Sequence, residues 1–179
     1  MAVIYTLGHS TRRLGEVLRI LRRAGATTVV DVRRWPSSRR SPWFSRESLE
    51  RALPAEGIKY VWLGEELGGY RRLGRDVPEG VPLPDCYESE GFKAYAAYIL
   101  TSPRAQRALG LIEDLARRSP VVILCSEKLP WRCHRKIIAE VLSHRGHRVV
   151  HIIDEDRLVP HKPSECMKKY IEKMGGRGG

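Results

Sequence analysis

The chain of 179 residues contains no asparagine and a single glutamine, Gln106. Its longest apolar runs are only as long as a strand, so we expect no membrane-spanning segment. The N-terminus also lacks the basic and then apolar layout of a secretory signal. These absences favour a cytoplasmic protein. In that compartment we expect all four cysteines to be free thiols, metal ligands or catalytic groups rather than structural disulfides.

Acidic residues are also few compared with basic ones. There are 21 Asp and Glu against 32 Lys and Arg, and the formal net charge is +11. Many charged residues with few heat-labile amides are typical of thermophilic proteins. That explanation accounts for the number of charges but not for the excess of one sign. We therefore expect an acidic partner, either a nucleic acid or a small anion such as a nucleotide or another phosphorylated molecule.

Short β-branched runs alternate with helical patterns along the whole chain. This alternation predicts an α/β fold with a mostly parallel sheet of about five strands and helices on both faces. The length favours one domain over residues 1–179, with a core at about 3–155, a C-terminal helix at about 163–174 and a frayed tail at 175–179. The predicted strands are Val3–Leu7, Thr27–Val30, Ile58–Trp62, Val121–Leu124 and Val149–Ile153. The first predicted helix begins after the cap Ser10 or Thr11, and the second begins after the cap Ser45. Four further predicted helices cover Gly91–Leu100, Pro103–Arg117, Cys133–Arg145 and Pro163–Met174.

One strand-to-helix loop carries most of the reactive groups. It follows the apolar run 121–123 and holds Cys125, Glu127, Cys133, His134 and Arg135 before the next helical pattern. In parallel sheets such a loop lies at the carboxyl end of the strand, where ligands bind. These residue types form no useful packing unit, so the loop is a candidate site.

The ends of other predicted strands contribute further polar groups. His9 follows the first strand, and Asp31 and Arg33 follow the second. Because the carboxyl ends of parallel strands meet at one edge, we expect these three side chains to share a cleft with the Cys/His loop. The segment Glu65–Glu88 is rich in Gly and Pro and has no periodicity, which is typical of a functional or mobile loop.

Four motifs occur in order, namely Gly8-His9-Ser10, Asp31-Val32-Arg33 followed by Pro36-Ser37-Ser38, the stretch Leu63–Gly69, and Cys125-x-Glu127 followed by Cys133-His134-Arg135. On these motifs the chain resembles the family of domains of unknown function numbered 488, from about Tyr5 to Asp154. The resemblance implies an α/β protein with a cysteine site and an enzymatic role, and it implies no particular reaction.

The leading hypothesis is a thiol-dependent enzyme, a hydrolase or a transferase, that acts on a phosphate- or nucleotide-containing anion. A helix N-terminus and nearby cationic groups make a thiol reactive, so Cys125 and Cys133 are both candidates for the nucleophile or for a ligand. The remaining groups have supporting roles. We expect acid/base or orienting roles for Glu127, His134, His9 and Asp31, and anion binding by Ser10, Arg33, Ser37 and Arg135.

Two alternatives remain open at this stage. The basic segment 33–44 interleaves guanidinium groups with aromatic rings, which suits single-stranded nucleic acid bound through Arg39, Arg40 and Trp43. Its Trp residues equally fit a loop that folds back onto the core. A metal is the other alternative, with Cys125, Cys133 and His134 as zinc ligands, although their spacing is not that of a zinc finger. The sequence indicates no oligomeric state.

Overall fold

The computed structural model describes residues 1–175, so the last four residues of the predicted tail lie outside it. One sheet of six strands runs through this part of the chain in the order β3-β2-β4-β1-β5-β6. The five expected strands are mutually parallel, and β6 pairs antiparallel with β5. The strands are β1 (Val3–Gly8), β2 (Thr28–Asp31), β3 (Lys59–Trp62), β4 (Val121–Cys125), β5 (Arg148–Asp154) and β6 (Arg157–Pro160).

The α/β prediction is therefore confirmed, with one strand more than expected. The additional strand, β6, has four residues and none of them is buried. It lies at the edge of the sheet, where a strand needs no apolar alternation, and for this reason the hydrophobic pattern does not reveal it.

Within residues 1–175, seven α-helices connect and cover the strands. They are α1 (Leu14–Arg23), α2 (Arg46–Ala55), α3 (Gly64–Leu67), α4 (Glu90–Thr101), α5 (Pro103–Arg118), α6 (Arg135–His144) and α7 (Glu165–Gly175). The expected cap of α1 at Ser10 or Thr11 is wrong. Ser10 adopts a left-handed backbone (φ 51°) in the turn after β1, and the helix begins only at Leu14. The short α3 was not predicted, because four residues carry no periodicity.

The helices divide between the two faces of the sheet. Helices α1 and α2 pack with Leu7, Val29 and Leu124 on one face. Helices α4 to α7 pack with Ile4 and Ile123 on the other face. The connection after β1 thus leaves toward one face, and the connection after the neighbouring β4 leaves toward the opposite face. Such a switch point opens a crevice at the carboxyl ends of the two strands.

The expectation that no cysteine forms a structural disulfide is wrong. Cys86, in the loop before α4, forms a disulfide with Cys166 in α7, whereas Cys125 and Cys133 are free and buried. The two paired cysteines are 80 residues apart, so no local pattern indicates their pairing. The disulfide fastens the Gly/Pro-rich loop to the C-terminal helix.

None of the helices between residues 1 and 175 is long and apolar enough to span a membrane.

Candidate functional site

Two free thiols meet at the switch point. Cys125 is the last residue of β4, opposite Gly8 of β1, and Cys133 immediately precedes the first turn of α6. Their Sγ atoms lie 3.2 Å apart, although eight positions separate the two residues in the chain. A short 3-10 helix, Pro130–Arg132, turns the chain back and brings the second thiol over the end of the strand.

The two thiols differ in acidity. The hydrogen bond with Cys125 lowers the pKa of Cys133 to about 6, and the charge of Arg135 adds to this effect against the opposing effect of burial. The same hydrogen bond and burial raise the pKa of Cys125 well above its usual range. Cys133 also lies at the N-terminus of a helix, where a thiolate is favoured. Both shifts have the same consequence, namely that Cys133 is the more acidic of the two thiols.

The Arg135 side chain fixes the loop between the two thiols through hydrogen bonds. This side chain is fully buried and donates to Thr6 Oγ1, to the carbonyl of Glu127 and to the carbonyl of Lys128. Gly8 makes the close approach of the loop to β1 possible, because a Cβ at this position would lie 1.7 Å from the carbonyl oxygen of Glu127. The guanidinium of Arg135 is thus a support for the loop.

Arg33 connects the second strand to the first. Its guanidinium donates through Nε and Nη2 to the two carboxylate oxygens of Asp31, at 2.9 and 2.6 Å, and its Nη1 lies 3.2 Å from His9 Nε2. Asp31 is completely buried and also accepts the hydroxyl of Tyr60 at 2.5 Å. His9 and Asp31 therefore do not contact each other as base and orienting group, because the arginine lies between them.

The hydrogen bonds of His9 define its tautomer. A guanidinium only donates, so Nε2 accepts from Arg33, and Nδ1 carries the proton that it donates to the carbonyl of Ser10 at 2.9 Å. The imidazole stacks on Phe44 with ring centroids 4.4 Å apart. Burial, with a contribution from the nearby Arg33 charge, lowers the pKa of His9 to about 4. The ring is therefore neutral at physiological pH.

His134 is the third member of the thiol cluster. Its Nδ1 lies 3.7 Å from Cys133 Sγ, and its ring meets the edge of Tyr95 at a centroid distance of 5.0 Å. The other ring nitrogen, Nε2, is buried without a hydrogen-bond partner in the described part of the chain. Two sulfur atoms and one ring nitrogen thus lie within 4.8 Å of one another.

A cavity of about 600 Å³ opens over this cluster. Volumes of this size are typical of small-molecule sites. Seven of the residues selected from the sequence lie on its wall. They are His9, Arg33, Ser37, Cys125, Glu127, Cys133 and His134.

Other selected residues lie elsewhere. Asp31, Ser10 and Arg135 do not line the cavity. Asp31 accepts from the Arg33 guanidinium, the Ser10 carbonyl accepts from His9, and Arg135 donates to the loop between the two thiols. Arg39 and Arg40 are exposed on the loop outside the cavity. Trp43 is half-buried, donates its indole N–H to the carbonyl of Arg12 and packs edge-on against Phe44.

Sequence reasoning missed several residues of the cavity wall. Arg34 and Trp35 belong to the basic aromatic segment, and Tyr70 belongs to the Gly/Pro-rich loop. The composition of these two segments indicated a functional role but did not identify the individual residues. Tyr95 lies within α4, where an aromatic residue on a buried helix indicates nothing beyond packing. Arg132 immediately precedes Cys133 in the chain, but the sequence analysis selected Arg135 for anion binding in its place.

The comparisons with known proteins return one match. The model of the family described as "Domain of unknown function DUF488" matches residues 13–142, well over half of the chain. This range includes Arg33, both free thiols and His134. No curated protein and no solved structure matches the chain.

Proposed function

We propose that this chain, which belongs to the DUF488 family, is a thiol-dependent enzyme that acts on an anionic substrate with Cys133 as its nucleophile. One observation carries the proposal. The Sγ atom of Cys133 lies 3.2 Å from the Cys125 thiol, at the start of α6 and on the wall of the 600 Å³ cavity. A thiolate that is stabilised at neutral pH and reaches a ligand-sized cavity is the arrangement that nucleophilic catalysis needs.

The chemistry is a substitution in two steps. The Cys133 thiolate attacks an electrophilic atom of the substrate, and the leaving group departs with the bonding electron pair and takes up a proton from solvent. A water molecule then attacks the enzyme-bound group, Glu127 accepts a proton from that water, and the thiolate is released. With water as the acceptor the enzyme is a hydrolase, and with another acceptor it is a transferase.

Glu127 is suited to the role of the base. Its Oε1 accepts the backbone N–H of Leu129 at 3.1 Å, which fixes the carboxylate on the wall of the cavity. Among the described residues its Oε2 has no hydrogen bond, so it is available to a water molecule. Cys125 acts through Cys133, because its thiol proton stabilises the neighbouring thiolate.

Arginine side chains on the cavity wall support the binding of an anion. The guanidinium of Arg33 lines the cavity and is oriented by Asp31 and His9, and its charge is balanced by Asp31. Arg34 and Arg132 line the same cavity and form no ion pair within residues 1–175. A guanidinium without a carboxylate partner pairs readily with a phosphate or a carboxylate of a ligand.

Covalent labelling tests the nucleophile directly. Iodoacetamide at pH 7, followed by peptide mass spectrometry, should label Cys133 first, and the variant Cys133→Ser should lose both this labelling and turnover of phosphate esters or thioesters. Cys125→Ser should retain labelling at Cys133. If Cys125 is labelled first, or if Cys133→Ser keeps full turnover, Cys133 is not the nucleophile.

A metal site is a second candidate, favoured by the grouping of the Cys125, Cys133 and His134 donor atoms. In a tetrahedral zinc site with Zn–S distances of about 2.3 Å, two sulfur atoms are about 3.8 Å apart, so the thiols would need to separate by about 0.6 Å. Three protein ligands leave a fourth position for water, as in catalytic rather than structural zinc sites.

Zinc titration separates the two candidates. If the cluster is a metal site, the apoprotein should bind one zinc ion, protect both thiols from iodoacetamide and lose this binding in Cys125→Ser, Cys133→Ser and His134→Ala. If the protein is a thiol enzyme, zinc should inhibit turnover, and the metal-free protein should be fully active. Activity that requires zinc would reject the nucleophile proposal in favour of the metal.

A further inference from the structure

Two aromatic rings stand exposed at the mouth of the cavity. Trp35 is 63% exposed and Tyr70 is 79% exposed, and both line the cavity that holds the thiols. Their ring centroids are 5.6 Å apart with an angle of 42° between the planes. The pair also borders a second, adjoining cavity of about 540 Å³. Large exposed aromatics grouped at the rim of a cavity indicate a ligand contact, because packing alone does not require them there.

Hydrogen bonds fix the backbone of Tyr70, and a guanidinium lies over the Trp35 ring. Tyr70 has a left-handed backbone (φ 64°), which is uncommon for a bulky residue and carries a cost in free energy. Its carbonyl accepts from Arg34 Nη1 at 3.0 Å and from Arg75 Nη2 at 3.1 Å. The guanidinium of Arg34 also lies 5.0 Å from the centre of the Trp35 ring. One arginine therefore contacts both halves of the aromatic pair.

The geometry of the pair restricts how a third ring can bind. A planar ring inserted between two others needs a gap of about 7 Å, twice an atomic contact distance of about 3.5 Å. The centroid distance of 5.6 Å is too small, so a third ring must stack on an outer face of Trp35 or Tyr70. Stacking on an exposed face discriminates little between ring types, because every nucleobase has such a face.

Positive charge lies next to these rings. Arg34 and Arg132 line the cavity, and neither forms an ion pair in the described part of the chain. By contrast, the charge of Arg33 is balanced by Asp31. Both arginines line the same cavity as Trp35, Tyr70 and Cys133, so their guanidinium groups are available to a phosphate bound there.

We propose that the cavity binds a nucleoside phosphate, with its base stacked on Trp35 or Tyr70 and its phosphate paired with Arg34 and Arg132. The inference names the substrate class of the proposed thiol enzyme. It rests on that proposed function for the reaction at Cys133, whereas the binding of the nucleotide does not depend on it. The same base and phosphate occur in a free nucleotide and at the end of a single strand. Trp43, which packs inward, is not part of this site.

Binding measurements on the whole chain test the proposal without any turnover. Isothermal titration with AMP, GMP, CMP and UMP is compared with ribose 5-phosphate and with inorganic phosphate. Because stacking on an aromatic ring contributes about 1–3 kcal/mol, the nucleotides should bind about 5- to 150-fold more tightly than ribose 5-phosphate. Short 5′-phosphorylated single strands are titrated in the same way, and the comparison shows whether the free nucleotide or a strand end binds more tightly.

Matched variants assign the effect to the rim. Trp35→Leu and Tyr70→Asn should each remove most of the advantage of the nucleotide, and asparagine tolerates the left-handed backbone. Trp131→Leu is the control, because Trp131 is 49% exposed but lines a different cavity. Circular dichroism should show that all three variants remain folded.

A second comparison tests the phosphate contact. Arg34→Gln/Arg132→Gln should weaken binding of ribose 5-phosphate, which has no base to stack on the rim, as well as binding of every nucleotide, and should flatten the dependence on salt. Arg107→Gln/Arg118→Gln removes the same charge from exposed positions of α5 that do not line the cavity, and should leave the binding unchanged.

Equal affinity for nucleotides and ribose 5-phosphate would overturn the proposal, as would equal losses in Trp35→Leu and Trp131→Leu. Failure of the two proposals is distinguishable. The titrations are repeated with Cys133→Ser. This variant should bind nucleotides normally, because the proposed contacts do not include the thiol. Normal nucleotide binding by a protein whose Cys133 is unreactive rejects only the nucleophile. A reactive Cys133 in a protein that binds no nucleotide rejects only the substrate class.

Discussion

Cys133 Sγ lies 3.2 Å from Cys125 Sγ across the gap between the end of β4 and the first turn of α6. The contact shifts the pKa values of the two thiols in opposite directions. It lowers the pKa of Cys133 to about 6 and raises that of Cys125. The acidity of Cys133 therefore depends on the neighbouring Cys125 thiol.

The first prediction concerns this dependence. The rate of alkylation of Cys133 should rise with pH to a plateau, with its midpoint near pH 6, because the thiolate predominates above the pKa. In Cys125→Ala the midpoint should move toward the ordinary thiol value of about 8.5, since the largest cause of the lowering is removed. The midpoint is compared rather than the absolute rate, because the smaller alanine also makes the Cys133 sulfur more accessible to the reagent.

Cys125→Ser is the matched control, because serine keeps a hydroxyl that can donate to the thiolate. Its midpoint should lie closer to that of the unmodified protein. If alanine and serine leave the midpoint near pH 6, the acidity of Cys133 comes from Arg135 and the helix rather than from Cys125.

The second prediction concerns the buried pair of Asp31 and Arg33. Asp31→Ala should lower the free energy of unfolding by about 3–5 kcal/mol, because it leaves a buried guanidinium without its carboxylate. The double variant Asp31→Ala/Arg33→Met should recover much of the loss, since no unpaired charge remains. Urea denaturation of the single and double variants measures both changes. Equal instability of the two would show that the carboxylate matters through Tyr60 rather than through the arginine.

The third prediction concerns the disulfide between Cys86 and Cys166. Its removal in Cys86→Ala/Cys166→Ala should lower the free energy of unfolding by about 2–4 kcal/mol, because a loop of 80 residues is no longer closed in the unfolded chain. A reductant should destabilise the unmodified protein by a similar amount and leave the variant unchanged. Thiol titration of the denatured, unreduced protein should count two thiols, and a count of four would contradict the pairing.

The fourth prediction concerns acid. The pKa of His9 is about 4 in the folded protein, against about 6.5 in an unfolded chain. As the pH falls below 6.5 the unfolded chain takes up a proton that the folded protein does not, so stability is full above this value and is lost progressively as the pH falls to about 4. Between pH 7 and pH 5 the loss from this one group is about 2 kcal/mol.

His9→Gln provides the comparison, because an amide oxygen can still accept from Arg33 but does not titrate. Its stability should fall less steeply than that of the unmodified protein over the same range of pH. Parallel curves from chemical denaturation at pH 7, 6 and 5 would show that His9 does not contribute to the acid dependence.

Much of the architecture was predictable from local patterns. The β-branched runs and the helical periodicities identified five parallel strands and most of the helices, because each pattern reflects which side of an element is buried. The same reasoning placed His9, Arg33 and Cys125 at one edge of the sheet. The exceptions are informative. Strand β6 is exposed at the edge and α3 has four residues, so neither carries a hydrophobic pattern.

By itself, then, the sequence determined the five parallel strands, most of the helices and which strand ends come together, since these depend on short-range periodicity and on the parallel connections between strands. Tertiary structure decided the chemistry. It inserted Arg33 between His9 and Asp31, directed Arg135 inward and brought the two free thiols into contact, which makes Cys133 the more acidic of them. It also joined two cysteines across 80 residues. Acidity and pairing depend on burial and on distances of a few ångströms between residues remote in the chain, and only packing sets those distances.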